Sequence, residues 1–318
     1  MQTRKIGSLD VSVIGLGCNQ FGRTLGEADS IEVISAAIDA GITHFDTSDT
    51  YGLGQSEEYL GKALGGRREQ VVIATKFGKN MGPGLYGSSP QYIRAAVEAS
   101  LRRLGTDYID LYWQHEPDAD VPLADTLGAL AELVEAGKLR EIGTSNTTLE
   151  EFLAAEQVPA PVHFAAVQNE YSLLVRDVDR GLLGALADRG GSFVPFFPLA
   201  VGLLTGKYRV GGEGGARFQK DARLGGVLMT EENLAIVDRL ALLAEAHGRT
   251  LTELAFGWLL SRPAVKSVIA GSSKVAQVRQ NAGYGDLVLE PPLLAAIEEI
   301  APVRDVAPTL GLNRTGKG

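Results

Sequence analysis

The chain has little of what several protein classes need. Its 318 residues include one cysteine, Cys18, and four histidines, His44, His115, His163 and His247. A single thiol excludes a disulfide framework within the chain and any cysteine-built metal site. The histidines show neither H-x-H nor H-E-x-x-H spacing, which argues against a metallohydrolase, so no metal site is read. No apolar run reaches membrane-spanning length, and the opening MQTRKIGSLDVSV has no apolar signal core. Positive charge is also short: 30 Lys and Arg stand against 39 Asp and Glu, for a net charge of −9 and a pI near 5.1. That balance argues against nucleic-acid partners and anionic membranes. A small molecule is the expected partner and the cytoplasm the expected location. Oligomeric state leaves no mark in the sequence. Cys18 reads as a small packed residue rather than a reactive thiol.

What is present is an alternation. Apolar strand-like runs, VSVIGLGC, THFDTS, VVIATKFG, YIDLYWQHE, LREIGTSN, FAAVQNEYS, SFVPFFPLA and VKSVIAGS, are separated by amphipathic segments at helical spacing. In the first of these, Ser30 is the expected N-cap and Gly41 the stop. Eight strand–helix units without a linker predict an α/β fold, a closed (β/α)8 barrel forming a single domain over 1–318. TRKIGSLDVSVIG reads as a hairpin plugging the N-terminal end, and an extra loop and helix segment precedes the last strand.

Chemistry in such barrels sits where strands end. Polar residues closing apolar runs are therefore the candidates: Asp46 in HFDTSDTYG, with Tyr51 in the loop after it, Lys76 in VVIATK and His115 in DLYWQH. Singly, Asp46 could cap a turn, Tyr51 could be a wet core-edge residue and His115 a satisfied histidine; Asp49 reads as a turn residue. Lys76 is harder to dismiss, because burying an ammonium without an anion is costly. Together the four form a proton-transfer device. An ammonium beside Tyr51 is expected to lower the phenol from its reference near 10, while Asp46 holds the lysine and His115 donates to a carbonyl oxygen.

The ordered pieces IGLGCNQFG, FDTSDTYG, ATKFG, LYWQHEPD, GTSN, QNEYS, PLAVGLLTGKY and IAGSSKVAQVRQN resemble the aldo-keto reductases over nearly the whole chain. The resemblance implies a catalytic set of Asp46, Tyr51, Lys76 and His115, with Tyr51 the general acid and hydride supplied by a nicotinamide. The spacing Gly15, Gly17, Gly22 does not match G-x-G-x-x-G, so these glycines read as tight backbone. By resemblance, Ser145, Asn146 and Gln168 hold the nicotinamide amide and Phe196 stacks on its ring. Leu199, Gly202 and Leu203 border the pyrophosphate through their backbones. Phe197 stands where the family usually has serine. Gly271, Ser272, Ser273, Lys274, Gln277, Gln280 and Asn281 match the adenosine side, with Gly271 and Gln277 where many relatives are basic. NADP(H) is the favoured cofactor, with NAD(H) the alternative.

Phe21, Phe77, Tyr86 and Trp113 are the apolar residues expected to line the substrate pocket. Its walls are expected from FGKNMGPGLYGSSP, the excursion from Val201 to Leu228, and the tail after Ala301. The expected reaction is NAD(P)H-dependent reduction of an aldehyde, ketone or sugar carbonyl, or its reverse. The competing reading is a nucleotide-sensing regulatory protein of the same fold with little turnover.

Overall fold

The fold was obtained as a computed structural model that describes residues 1–207, 226–304 and 306. The strands β1 (Thr3–Ile6) and β2 (Leu9–Ser12) pair antiparallel as the expected hairpin. Then β3 (Ile14–Gly17), α1 (Glu27–Asp39), β4 (His44–Asp46), α2 (Gln55–Leu64), β5 (Val72–Phe77), α3 (Pro90–Leu104), β6 (Ile109–Gln114) and α4 (Leu123–Glu135) alternate. The alternation continues through β7 (Leu139–Ser145), α5 (Leu149–Glu156), β8 (Ala166–Gln168), α6 (Leu182–Asp188) and β9 (Ser192–Phe193). Helices α7 (Glu231–Ala246) and α8 (Leu251–Leu260) precede β10 (Val268–Gly271), and α9 (Val275–Gly283) and α10 (Pro291–Ile300) follow it.

Eight parallel strands run in the order β10-β3-β4-β5-β6-β7-β8-β9. The two ends of that order meet through parallel bridges at Phe193↔Val265 and Phe196↔Ile269. The Ile269 N–H donates to the Pro195 carbonyl at 2.9 Å, so the sheet curls into the expected barrel.

Apolar residues form two layers because strands covered on both faces alternate inward and outward side chains. The inner cluster joins Ile6, Leu9 and Val11 of the hairpin to Val72, Ala74, Leu111 and Trp113 of the barrel. The hairpin is thus a plug, each of its fully buried aliphatics contributing on the order of 1.5–3 kcal/mol. Its turn is pinned where the Ser8 N–H donates to Glu141 on β7 at 2.7 Å. Gly15 is tight backbone as expected, since a Cβ there would lie 2.5 Å from Ile269 Cδ1. Outside the barrel, Ile73, Phe77 and Tyr112 pack with the helices.

Two boundaries differ from expectation. Helix α1 begins at Glu27 after Gly26, and Ser30 lies inside its first turn, donating from Oγ to the Gly26 carbonyl at 2.7 Å. Glu27 and Asp29, acids that favour a helix N-terminus, were the overlooked signal. Val11 and Ser12 belong to the hairpin, and the first barrel strand starts at Ile14. Among the described residues no helix is long and apolar enough to cross a membrane, and no cluster suits a metal ion.

Candidate active site

The site is built from the C-terminal ends of neighbouring and facing strands. In β5 the alternation puts Ile73 and Phe77 outward and Val72, Ala74 and Lys76 inward. The Lys76 ammonium donates to Asp46 Oδ2 at 2.5 Å and to the Thr47 carbonyl at 2.7 Å. The other Asp46 oxygen, Oδ1, accepts from Gln168 Nε2 at 2.8 Å. Asp46 therefore ties β4 to its neighbour β5 and, across the barrel, to β8. All three side chains are buried. Burial pulls the Lys76 ammonium downward most strongly, but Asp46 and Tyr51 together outweigh it, so Lys76 rests above its ordinary value and stays charged.

Tyr51 opens a short 3-10 turn, Tyr51–Gly54, directly after β4. Lys76 Nζ lies 5.2 Å from its ring centroid, and the His115 ring meets it edge-on at 6.3 Å between centroids. Burial pushes the Tyr51 phenol above its ordinary value; Lys76 pulls against that rise without prevailing, and Asp46 adds to it. The expected effect of Lys76 is present, yet the net direction is upward because depth outweighs it. The phenol is thus held as a proton carrier.

What fixes this turn is backbone against backbone. Gly52 has φ of +59°, and a Cβ on it would stand 2.8 Å from Gly22 Cα and 2.9 Å from the Gly22 carbonyl carbon and oxygen. Neither conformation nor space admits a side chain. Gly52→Ala is expected to cost roughly 1–3 kcal/mol of stability and to lower turnover by displacing Tyr51. Thermal unfolding together with turnover checks this; a variant with unchanged values in both would remove the turn's fixing role.

His115 follows β6. Burial, then the Lys79 and Lys76 ammonium groups, hold its imidazole well below its ordinary value, so it is neutral. Its Nδ1 lies 3.3 Å from Ser48 Oγ, and its backbone carbonyl accepts from Asn146 Nδ2 at 2.9 Å. Asn146 has φ of +54°, a left-handed conformation that asparagine tolerates. Ser145 Oγ donates to the Gln168 carbonyl at 2.7 Å. Ser145, Asn146 and Gln168 therefore stand together beside Asp46 and His115.

The remaining cofactor candidates lie around the seam where the barrel closes. Phe196 is half-buried and bridges both Glu170 and Ile269. After it the backbone is strained: Phe197, Ala200 and Val201 have φ of 53°, 47° and 59°, and Gly202 has 107°. A β-branched residue such as Val201 rarely adopts that region. Leu199 is half-buried and the Leu203 side chain fully buried, which leaves the backbone of this turn as its chemical face. On the other side of the seam, Gly271, Lys274, Gln277 and Gln280 are exposed and Asn281 half-buried. Ser272 is buried and accepts from Asn281 Nδ2 at 3.1 Å, while Ser273 donates twice to Gln277 Oε1, at 2.9 Å from N and 3.1 Å from Oγ. Helix α9 starts just after Lys274.

The four apolar pocket candidates are not brought together. Phe77 is fully buried on the outward face, stacked on Tyr112 at 4.9 Å, because its neighbour Lys76 takes the inward face. Trp113 points inward but is buried in the inner cluster with the plug. Phe21 is fully buried in the outer layer, and Tyr86 is 62% exposed. Phe77 and Trp113 are therefore core residues and not pocket lining. Most of the excursion from Val201 to Leu228, and nearly all the tail after Ala301, lie outside the described residues.

Three polar residues behind the site escaped the sequence reading. Ser48 Oγ contacts Asp49 Oδ1 and Thr50 Oγ1, each at 3.0 Å, besides His115. Asp49 is 2% exposed, not a surface turn residue; burial, then the neighbouring Glu57 carboxylate, push it up to about 7. Glu57 is itself buried, accepting from Thr75 Oγ1 and Arg103 Nε at 2.6 Å each. Cys18 is buried as expected, and burial pushes its thiol upward, away from reactivity.

Comparison with known proteins finds relatives over nearly the whole chain. The chain is 35% identical over 324 residues to probable aldo-keto reductase 1 of Glycine max, covering 96% of this chain and 91% of that one. It is 34% identical over 322 residues to L-glyceraldehyde 3-phosphate reductase of Escherichia coli (strain K12), covering 94% and 92% respectively. The solved glycerol dehydrogenase of Gluconobacter oxydans superposes with a TM-score of 0.82 at 28% identity, covering 94% of each chain. The aldo/keto reductase family model matches residues 13–302, and with a barrel that carries its charged residues at the C-terminal mouth, the chain belongs to the aldo-keto reductase family.

Proposed function

We propose that this chain reduces a small carbonyl compound to an alcohol, reversibly, with Tyr51 as the proton donor. The observation that carries the reading is the buried Lys76 ammonium, bonded to Asp46 and set 5.2 Å from the Tyr51 ring. A buried cation with one fixed counter-ion has little structural use, since apolar packing would serve as well. Beside a phenol it has a chemical one: it stabilises the phenolate that remains once the proton has gone. Asp46 orients Lys76, and Gln168 orients Asp46. Neutral His115 holds the carbonyl oxygen through a ring N–H. Tyr51 then delivers its proton to that oxygen as negative charge develops there, and takes it back when an alcohol is oxidised.

The residues present suit a nicotinamide cofactor. Ser145, Asn146 and Gln168 supply amide and hydroxyl groups at the end of β7 and β8, chemistry that matches a carboxamide. Gln168 has its nitrogen committed to Asp46, so it offers its carbonyl oxygen. The strained turn after Phe196 is the kind of backbone found at ligand clamps, and it supports a pyrophosphate contact. Ser272, Ser273 and Lys274, ahead of α9, suit a ribose phosphate, which favours NADP(H) over NAD(H). The cofactor supplies hydride when bound. Two of the relatives are named for L-glyceraldehyde 3-phosphate reduction and glycerol dehydrogenation, and small polar carbonyls of that kind are the first substrates to try. We place this activity in one barrel domain acting in the cytoplasm on small molecules.

Separate titrations with NADPH and NADH, followed by absorbance loss with aldehydes, ketones and sugars, test the reading. Binding of NADPH with turnover of at least one carbonyl is expected. Tight binding without turnover on any substrate would favour a nucleotide sensor, and no binding of either nucleotide would end the proposal.

A further inference from the structure

The polar chain behind His115 has a part in the chemistry that the four catalytic residues leave unfilled. A neutral imidazole carries one proton, and only the tautomer protonated on Nε2 can donate from that nitrogen while Nδ1 accepts. Nδ1 faces Ser48 Oγ at 3.3 Å, and the same oxygen faces Asp49 Oδ1 at 3.0 Å. Ser48 has one hydroxyl proton, so it cannot donate to both. The Thr50 N–H donates to Ser48 Oγ at 3.3 Å, and Thr50 Oγ1 lies 3.0 Å away.

We propose that Asp49 and Ser48 are positioning residues that set which nitrogen of His115 carries the proton, making Asp49 a proton reservoir for the site. The proposal rests on the role given to His115 above. With Asp49 protonated, it donates to Ser48, Ser48 donates to Nδ1, and Nε2–H is available to a carbonyl oxygen. With Asp49 ionised, Ser48 turns to the carboxylate, Nδ1–H donates to Ser48, and Nε2 becomes an acceptor suited to an alcohol. The protons balance: Asp49 gives its proton to Ser48, Ser48 gives its own to Nδ1, and Nε2 releases one at the cavity side. No electrons move.

The surroundings keep this carboxyl poised. Glu57 on α2 faces it with like charge, and Arg103 on α3 is committed to Glu57 at 2.6 Å. Tyr92 on α3, Tyr112 on β6 and Lys79 after β5 are its further ionisable neighbours among the described residues. Burial and Glu57 bring Asp49 to about 7, whereas His115 stays neutral throughout that range. As pH rises through that value, reduction is expected to weaken and alcohol oxidation to strengthen.

Nitrogen-15 NMR of the imidazole in the full chain, free of cofactor and substrate, reads the tautomer directly. The wild type is expected to show Nε2–H well below about pH 7 and Nδ1–H well above it. In Ser48→Ala and in Asp49→Asn the tautomer should no longer follow pH. Reductive kcat/KM should fall by about 100-fold across the same window in the wild type, the cost of one lost donor to a developing oxyanion, and stay flat in Asp49→Asn. A wild-type tautomer constant with pH, or one that titrates unchanged in both variants, overturns the proposal. A tautomer that switches in a chain reducing no carbonyl upholds the relay and fails only the assigned reaction.

Discussion

Tyr51→Phe is expected to keep nicotinamide binding and to lose about 10²–10⁴-fold in carbonyl turnover, the contribution of a positioned general acid. The ring is retained, so its edge contact with His115 and the Gly22–Gly52 packing behind it stay in place. Only the hydroxyl is removed. Burial already holds that hydroxyl protonated, so the wild-type enzyme should show no loss of reduction near neutrality from ionisation of Tyr51 itself. Single-turnover kinetics with pre-bound cofactor separates the proton step from binding. A phenylalanine variant with wild-type turnover would exclude Tyr51 as the donor.

Lys76→Met is the second large effect, and it acts on stability as well as rate. Methionine fills a similar volume, but Asp46 would keep its carboxylate in a buried place, still accepting from Gln168 Nε2 but stripped of its counter-ion. Breaking a buried pair on one side costs about 3–5 kcal/mol. The double variant Asp46→Asn with Lys76→Met removes both charges and should recover most of that stability while remaining inactive. Thermal unfolding and turnover measured on the single and double variants form a cycle that separates the two roles. Recovery of turnover with stability would mean that Lys76 serves the fold alone.

The sequence made the barrel legible, and with it the polar residues Asp46, Lys76 and His115 at strand ends and Tyr51 in the loop after one, because each strand was a short apolar run closed by a polar residue. It could not show depth. Tyr51 was expected to have a lowered pKa from its neighbour, and burial reversed the net direction. Asp49 looked like a turn residue because HFDTSDTYG is crowded with turn formers, and nothing local tells a solvated aspartate from one sealed behind a strand. Trp113, though it points inward, was misplaced for the same want of depth, and Phe77 for a related reason. In strands apolar on both faces, period-two alternation has no polar residue to mark which face is which. Lys76, one residue from Phe77, was that mark for β5, and reading the alternation outward from it would have assigned Phe77 to the helix side.

The plugged end of the barrel has a kinetic meaning. With Ile6, Leu9 and Val11 sealing the floor, the proposed hydride donor and carbonyl would both have to enter at the C-terminal mouth. Whichever is seated deeper arrives first and departs last. Two ligands meeting over Tyr51 through one mouth would then bind in order, and initial-rate kinetics with both ligands varied should show sequential addition with the deeper one leaving last.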